Sequence, residues 1–355
     1  MNVAVLYELV STIVNQSSLE IRLRRVLRDF VLGVLVSRSC LLDDVAHALH
    51  PRGTVESQYR RLQRFLANPQ IDIASVQQDW ATLVIQTMHA ENLVLLVDET
   101  SLSDHLKIMV LGIWTRDGCV PIAWRSYHPK AYPKCGQVEI ILDLVRRILP
   151  ALPIPCAVIM LADRGIGTSP DLITGLTQLA VDILFRVQDT TRFRNAQGAD
   201  VPLDQLGIRG FAWQAPAQVF KKAGWLSLHA SVAWDRNYDA PWCLVSSRPV
   251  DPHLYGTRFH QEVSFRDLKS DGFQWHRSHV WLPDHADRLL LVLAIAYWLV
   301  MLVGQSLPTA TRGRQARLSC FRRGLDTITA HFRPTIASLL PPPPFPPPRI
   351  TCVVQ

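Results

Sequence analysis

Two carboxylates in this sequence stand where an apolar run stops. Leu93–Val97 is unbroken and apolar and runs into Asp98, and "CAVIMLADRG" (156–165) runs in the same way into Asp163. Such runs read as strands buried on both faces. A carboxylate beside a buried strand is costly unless it is paired or holds a cation. Ligand sites in open α/β sheets gather at the carboxyl ends of strands. If these two strands are neighbours, the acids lie side by side and repel unless cations sit between them. Mg²⁺ suits that demand, because it takes a few carboxylates and completes its shell with water and phosphate oxygens. A third acid from a helix packed on the sheet would complete the site, and Glu262 is the candidate.

Glu262 belongs to "YGTRFHQEVSFRDLKS" (255–270), in which Tyr255, Arg258, Glu262 and Lys269 stand at offsets 0, 3, 7 and 14. On a regular helix these four fall within a sector of roughly 60°. Arg266 lies near that sector, while Phe265 and Leu268 lie off it, so one side could be buried and the other displayed. By itself this is also the pattern of a solvated face with Arg/Glu pairs.

The residues together resemble the bacterial insertion-sequence transposases of the fourth insertion-sequence family. That family carries an Asp-Asp-Glu triad on a ribonuclease-H-like fold, with the signature Tyr, two residues, Arg, three residues, Glu, six residues, Lys. Tyr255, Arg258, Glu262 and Lys269 match it in full, and "LVDETSL" and "MLADRG" resemble its two acid motifs in order. The resemblance covers roughly residues 50–305. One departure is "DRGIG", where many members carry an aromatic residue after Asp-Arg. The resemblance implies that Asp98, Asp163 and Glu262 hold two divalent cations, Mg²⁺ with Mn²⁺ possible. These would activate water or a DNA 3′-hydroxyl and stabilise the leaving oxygen of an in-line displacement. It also implies cut-and-paste cleavage of double-stranded DNA at terminal inverted repeats, through a hairpin end, and strand transfer into target DNA. Arg258, Lys269 and Tyr255 would then grip phosphates by fork, point charge and hydroxyl. A hairpin requires a flipped base held by stacking. Among Trp225, Trp234 and Trp242, the resemblance selects Trp234, expected on a strand. A homodimer that synapses two element ends in a bacterial, nucleoid-associated cytoplasmic setting is implied as well. The other readings are a ribonuclease-H-like nuclease without strand transfer and a DNA-binding derivative without catalysis.

Bulk composition agrees with a nucleic-acid partner without demanding one. The 355-residue chain has 48% hydrophobic residues and a formal net charge of +7. Its pI of about 9.2 draws it to polyanions. The seven cysteines are scattered without a C-x-x-C pair, which argues against a zinc ribbon or a disulfide framework and for a reducing compartment. His276 and His279 have no cysteine or carboxylate set to complete a metal site. "LLLVLAIAYWLVMLVG" (289–304) has 16 residues, short of the roughly 20 of a spanning helix, and is expected as a buried core helix with no membrane partner.

These motifs need elements to position them. Residues 1–85 read as a helical DNA-binding domain, with helices over 19–36, 40–51 and 54–69. In the third, Tyr59, Leu62 and Leu66 recur at core spacing, and Arg60, Arg61 and Arg64 lie opposite, either as DNA contacts or as a solvated face. Residues 86–188 read β-β-β-α-β-α-β, the first part of a catalytic core. Residues 189–254 alternate like strands and form a β-rich insertion; 255–305 return to core helices. The fold class expected is α/β, a ribonuclease-H-like mixed sheet flanked by helices. Residues 306–355 form a basic tail with Arg312, Arg314, Arg317, Arg322 and Arg323, ending in an extended "PPPPFPPP".

Overall fold

In a computed structural model, which describes residues 3–49, 53–88, 91–153, 155–195, 198–236, 239–308 and 318–332, the apolar runs form the centre of one large sheet. Five helices come first: α1 (Val3–Asn15), α2 (Ile21–Ser37), α3 (Leu42–Ala48), α4 (Val55–Leu66) and α5 (Ile73–Met88). The sequence predicts three of them; α1 and α5 are additional. Then β1 (Asn92–Leu102), β2 (Leu106–Thr115) and β3 (Gly118–Tyr127) form the expected antiparallel meander. After them come α6 (Gly136–Ile148), β4 (Ala157–Ala162), α7 (Arg164–Gly167), α8 (Pro170–Gln178) and β5 (Asp182–Arg186). β4 runs parallel to both β1 and β5. The order β3-β2-β1-β4-β5 is compatible with a ribonuclease-H-like core.

The strands of 189–254 do not make a sheet of their own. β6 (Arg192–Arg194), β7 (Asp200–Pro202), β8 (Ala212–Val219), β9 (Leu226–Ala233) and β10 (Trp242–Ser246) extend the same sheet to ten strands, with β10 paired to β5. Tryptophan placement follows from this. Trp234 lies one residue beyond β9 rather than on a strand, because the chain leaves the sheet at Ala233.

Strand parity decides which way the acids face. Leu95, Val97, Met160 and Ala162 belong to the large core that also holds Ile140, Leu144 and Ile173. Leu96, Leu161, Leu184 and Leu244 belong to a second core together with Tyr255. Successive strand side chains point to opposite faces. Asp98 therefore shares a face with Leu96, and Asp163 shares it with Leu161.

The segment 255–270 is not one regular helix. A 3₁₀ stretch covers Pro252–Arg258, α9 covers Phe259–Arg266, and a π-helical turn covers Asp267–Asp271. The uniform phase assumed from sequence does not apply, since these helix types turn by different angles per residue. α9 lies across β1, β2 and β3. It is pinned by Gln261, whose Nε2 donates to the Val110 carbonyl at 3.1 Å, and by Ser264, whose hydroxyl accepts from Cys119 N at 3.0 Å. Both side chains are buried, and they flank Glu262.

The apolar segment becomes α10 (Pro283–Ser306), 24 residues rather than the 16 of its apolar centre. By length and composition it could cross a membrane, yet 83% of its most apolar window is buried inside the fold. It packs on α2, β3 and α11 (Cys320–Phe332). The contact between α10 and α11 is made by glycines. A Cβ on Gly324 would lie 2.0 Å from the Val300 carbonyl oxygen, and one on Gly304 would lie 2.1 Å from that of Cys320. Gly324→Ala is therefore expected to cost about 1–3 kcal/mol, as overpacking does. Urea unfolding of the variant beside the parent checks it. Arg312, Arg314, Arg317 and the Pro-rich tail lie outside the described residues. The six described cysteines are free thiols.

Candidate active site

β1 and β4 are in register from Asn92–Ala157 to Val97–Ala162. The next residue on each strand is an acid, so Asp98 and Asp163 sit on adjacent strands, about 4.8 Å apart along the ladder direction. Asp163 follows the last residue of β4 and caps α7, its Oδ1 accepting from Ile166 N at 3.0 Å. Asp98 is not at the end of its strand, because β1 continues four residues to Leu102 and forms a hairpin with β2. It lies level with the end of β4. Its Oδ1 accepts from Glu99 N at 2.8 Å.

Arg258 joins Asp98 to Glu262. Its Nη1 lies 3.1 Å from Asp98 Oδ2, and its Nη2 donates to Glu262 Oε1. The Arg258 side chain is 13% exposed, Asp98 18% and Glu262 46%. Burial pushes the Asp98 carboxyl up from 3.8 to about 6. Arg258 opposes the rise, while Asp163 and Glu262 add to it. Three carboxylates thus act on one another here, and the guanidinium between two of them supplies the compensating charge.

Lys269 lies in the π-helical turn, half-buried. Burial lowers its pKa, and the charge of Asp98 opposes the shift. Tyr255 is 5% exposed. Its ring packs edge-on against Trp242 at 5.3 Å, and the Arg258 guanidinium carbon lies 6.0 Å from the ring centre. Burial raises the phenol pKa, which Arg258 opposes through charge and a hydrogen bond. The four residues of the signature therefore converge, with Tyr255 beneath Arg258 rather than at the surface.

One cation of this site carried no motif. Arg186 ends β5, next to β4, and its charge acts on Tyr255. Among the described residues, its buried Nε has no hydrogen-bond partner. The only sequence signal was a charge at the end of "DILFR". Gln261 and Ser264 were also missed; the signal was two polar residues on the inward side of the Glu262 helix.

Trp234 is half-buried and lines a cavity of about 330 Å³ with Phe211, Arg236 and His253. Trp242 is the tryptophan packed against the signature. Trp225 carries the Arg194 guanidinium over its ring at 4.3 Å.

The three N-terminal arginines separate. Arg60 pairs with Glu56 one turn back, and Arg64 is exposed. Arg61 Nη1 lies 2.9 Å from Oδ2 of Asp29, a buried carboxylate that Arg28 also contacts at 3.1 Å. Arg61 is thus a structural partner of Asp29. Arg61→Ala is expected to cost about 1–3 kcal/mol, because it strips a buried charge of one partner. Arg64→Ala is expected within about 0.5 kcal/mol of the parent. Thermal melts of the two variants separate them.

A divalent cation can be tested against this donor set. Asp98, Asp163 and Glu262 offer hard oxygens, the ligands Mg²⁺ and Mn²⁺ prefer. Burial raises the Asp98 pKa even with Arg258 beside it, so the carboxylate gains from further positive charge. Among the described residues, no three Asp, Glu, His or Cys side chains are arranged to hold a metal ion. Arg258 occupies the space between Asp98 and Glu262. The donor chemistry suits such an ion, while Arg258 engages two of the three acids.

No family model matches the chain, and no curated protein sequence matches it. Among solved structures it is similar to the C-terminal lobe of a budding yeast Argonaute, at 11% identity and a TM-score of 0.23. The match covers 77% of this chain and 62% of that one. A likeness at that level carries no argument about activity.

Proposed function

We propose that this protein is an insertion-sequence DNA transposase, cutting at terminal inverted repeats and joining the freed end to target DNA. The observation that supports this reading best is the convergence of Asp98, Asp163 and Glu262 on one face of adjacent elements, with Arg258 between two of them. Asp98, Asp163 and Glu262 would hold Mg²⁺ or Mn²⁺, which when bound supplies an activated nucleophile and stabilises the leaving oxygen.

The chain's own residues do the rest. Arg258 releases the acids and turns its fork to a phosphate, a geometry guanidinium suits and ammonium does not. Tyr255 supports Arg258 from beneath. Lys269 adds a point charge on the Asp98 side, and Arg186 adds a second positive charge from the end of β5. Trp234, with Phe211 and His253, provides the stacking wall for a base turned out during hairpin formation. The working form is a homodimer, since two ends must be held together.

Locating inverted repeats in the DNA flanking the reading frame, then incubating the protein with duplexes that end in them and Mg²⁺ or Mn²⁺, tests the reading on a denaturing gel. Hairpin ends are expected from the parent and none from Asp163→Ala. Nicks without hairpins would replace it with a ribonuclease-H-like nuclease. No cleavage with either metal would leave a DNA-binding derivative without catalysis.

A further inference from the structure

A cleft of about 760 Å³ opens between α4 and the segment 277–285. Its apolar lining includes Leu42, Tyr59, Leu66, Val280, Trp281 and Leu282, the last 61% exposed. Arg60 and Arg64 line one wall; Arg277, His279 and His285 line the other. Asp43 is the one acid that lines it. Arg60 is paired to Glu56, and Arg277 donates to Gln274 Oε1 at 2.9 Å. Among the described residues, no carboxylate pairs with Arg64 or Arg277, so two cations on opposite walls are free for an anion.

Trp281 is held in place from two sides. The His105 ring lies 4.8 Å from it at 32°, and the His279 ring 5.7 Å away at 84°. His105 sits in the turn after β1, the strand that carries Asp98. About 13 Å of strand separates Asp98 from that turn. The cleft therefore opens at the same end of the sheet as the acids.

We infer that this cleft binds an unpaired DNA strand. Opposed free arginines call for a polyanion, and the aromatic and aliphatic lining calls for flat apolar faces between its charges. A duplex keeps its bases inside the stack and cannot present them to such a wall. The volume lies in the ~300–1,000 Å³ range of clefts that enclose a small ligand, enough for a base with its sugar and phosphate. The choice of DNA over RNA rests on the function proposed above; the cleft itself does not depend on the acids.

Fluorescence anisotropy of labelled dT₁₂ on the full chain in EDTA tests this, with no cleavage possible. Trp281→Ala is expected to weaken binding by about 5- to 100-fold, the range measured for one stacked base. Trp281→Phe is expected to retain most of the affinity. Arg64→Ala with Arg277→Ala is expected to weaken it about tenfold or more and to flatten the salt dependence by roughly 0.7 in slope per arginine. These are surface changes, so they remain informative if Trp281→Ala fails to fold. Duplex binding should be insensitive to Trp281→Phe and Trp281→Ala. Unchanged dT₁₂ affinity in the arginine double variant would overturn the inference, as would tighter binding of U₁₂ than of dT₁₂. Repeat-end cleavage assayed separately in Mg²⁺ distinguishes the two ideas. Normal cleavage with a silent cleft removes only the cleft, and a functional cleft without cleavage removes only the transposase.

Discussion

Asp98→Asn is expected to abolish metal-dependent cleavage while making the protein more stable at neutral pH. On the proposed function the loss of activity should be about 10³-fold or more, since Asp98 would be a ligand of a cation that supplies several kcal/mol of transition-state stabilisation. The gain in stability follows from the carboxyl itself. Its pKa rises from 3.8 to about 6 on folding, chiefly through burial, so the folded state holds the proton more tightly than the unfolded one. Below pH about 4 both states are protonated and the aspartate costs nothing. As the pH rises from about 4 to about 6, the unfolded state gains from ionising while the folded state keeps its proton, and the fold loses stability across that window. Above that, Asp98 destabilises the fold by roughly 1–3 kcal/mol, a net figure in which the opposing charge of Arg258 is already included. Asparagine keeps the shape and can still accept from Glu99 N without the charge. The variant should therefore melt about 1–4 °C higher than the parent at pH 7.5, with the difference vanishing near pH 4. A variant less stable than the parent at pH 7.5 would show that Arg258 more than compensates the buried charge.

Arg258→Ala should have the opposite stability effect and a second large effect on activity. Removing the guanidinium leaves Asp98 and Glu262 facing each other with Asp163 alongside. Stripping one partner from a largely buried pair costs about 3–5 kcal/mol; the exposure of Glu262 places this case at or below the lower end. The linkage sign is again that of a raised acid. Without Arg258, the Asp98 pKa climbs further, so the loss is greatest above pH 6 and shrinks toward pH 4. If the acids bind Mg²⁺ as proposed, the ion should restore part of the lost melting temperature in the variant and do less for the parent, because it would supply the positive charge that Arg258 supplied. Cleavage should fall by about 10²–10³, the scale of losing one preorganised charge donor. Arg258→Lys keeps the charge but cannot bridge two carboxylates, and should recover stability more than activity. An equal melting loss at pH 4.5 and 7.5, with no response to Mg²⁺, would show that Arg258 is only a packing element.

The sequence by itself determined what short-range physics controls. Unbroken apolar runs at 93–97 and 157–162 read as strands covered on both sides and are strands, and the turn at 115–118 joined β2 to β3 as expected. Parity then directed Asp98 and Asp163 to the faces of Leu96 and Leu161. Only the tertiary structure decided that β4 lies beside β1, and in the register that makes the acids neighbours. Only it decided that Arg258 fills the gap between two acids, that Tyr255 is buried beneath it, and that Arg61 pairs with Asp29. Helix phase gave no warning of the 3₁₀ and π turns around α9, nor did any motif mark Arg186 or the Trp281 cleft. Those features arise from contacts between residues far apart in the chain, such as Asp98 with Arg258 and His105 with Trp281. Their energies depend on which surfaces meet, and a local pattern does not carry that information.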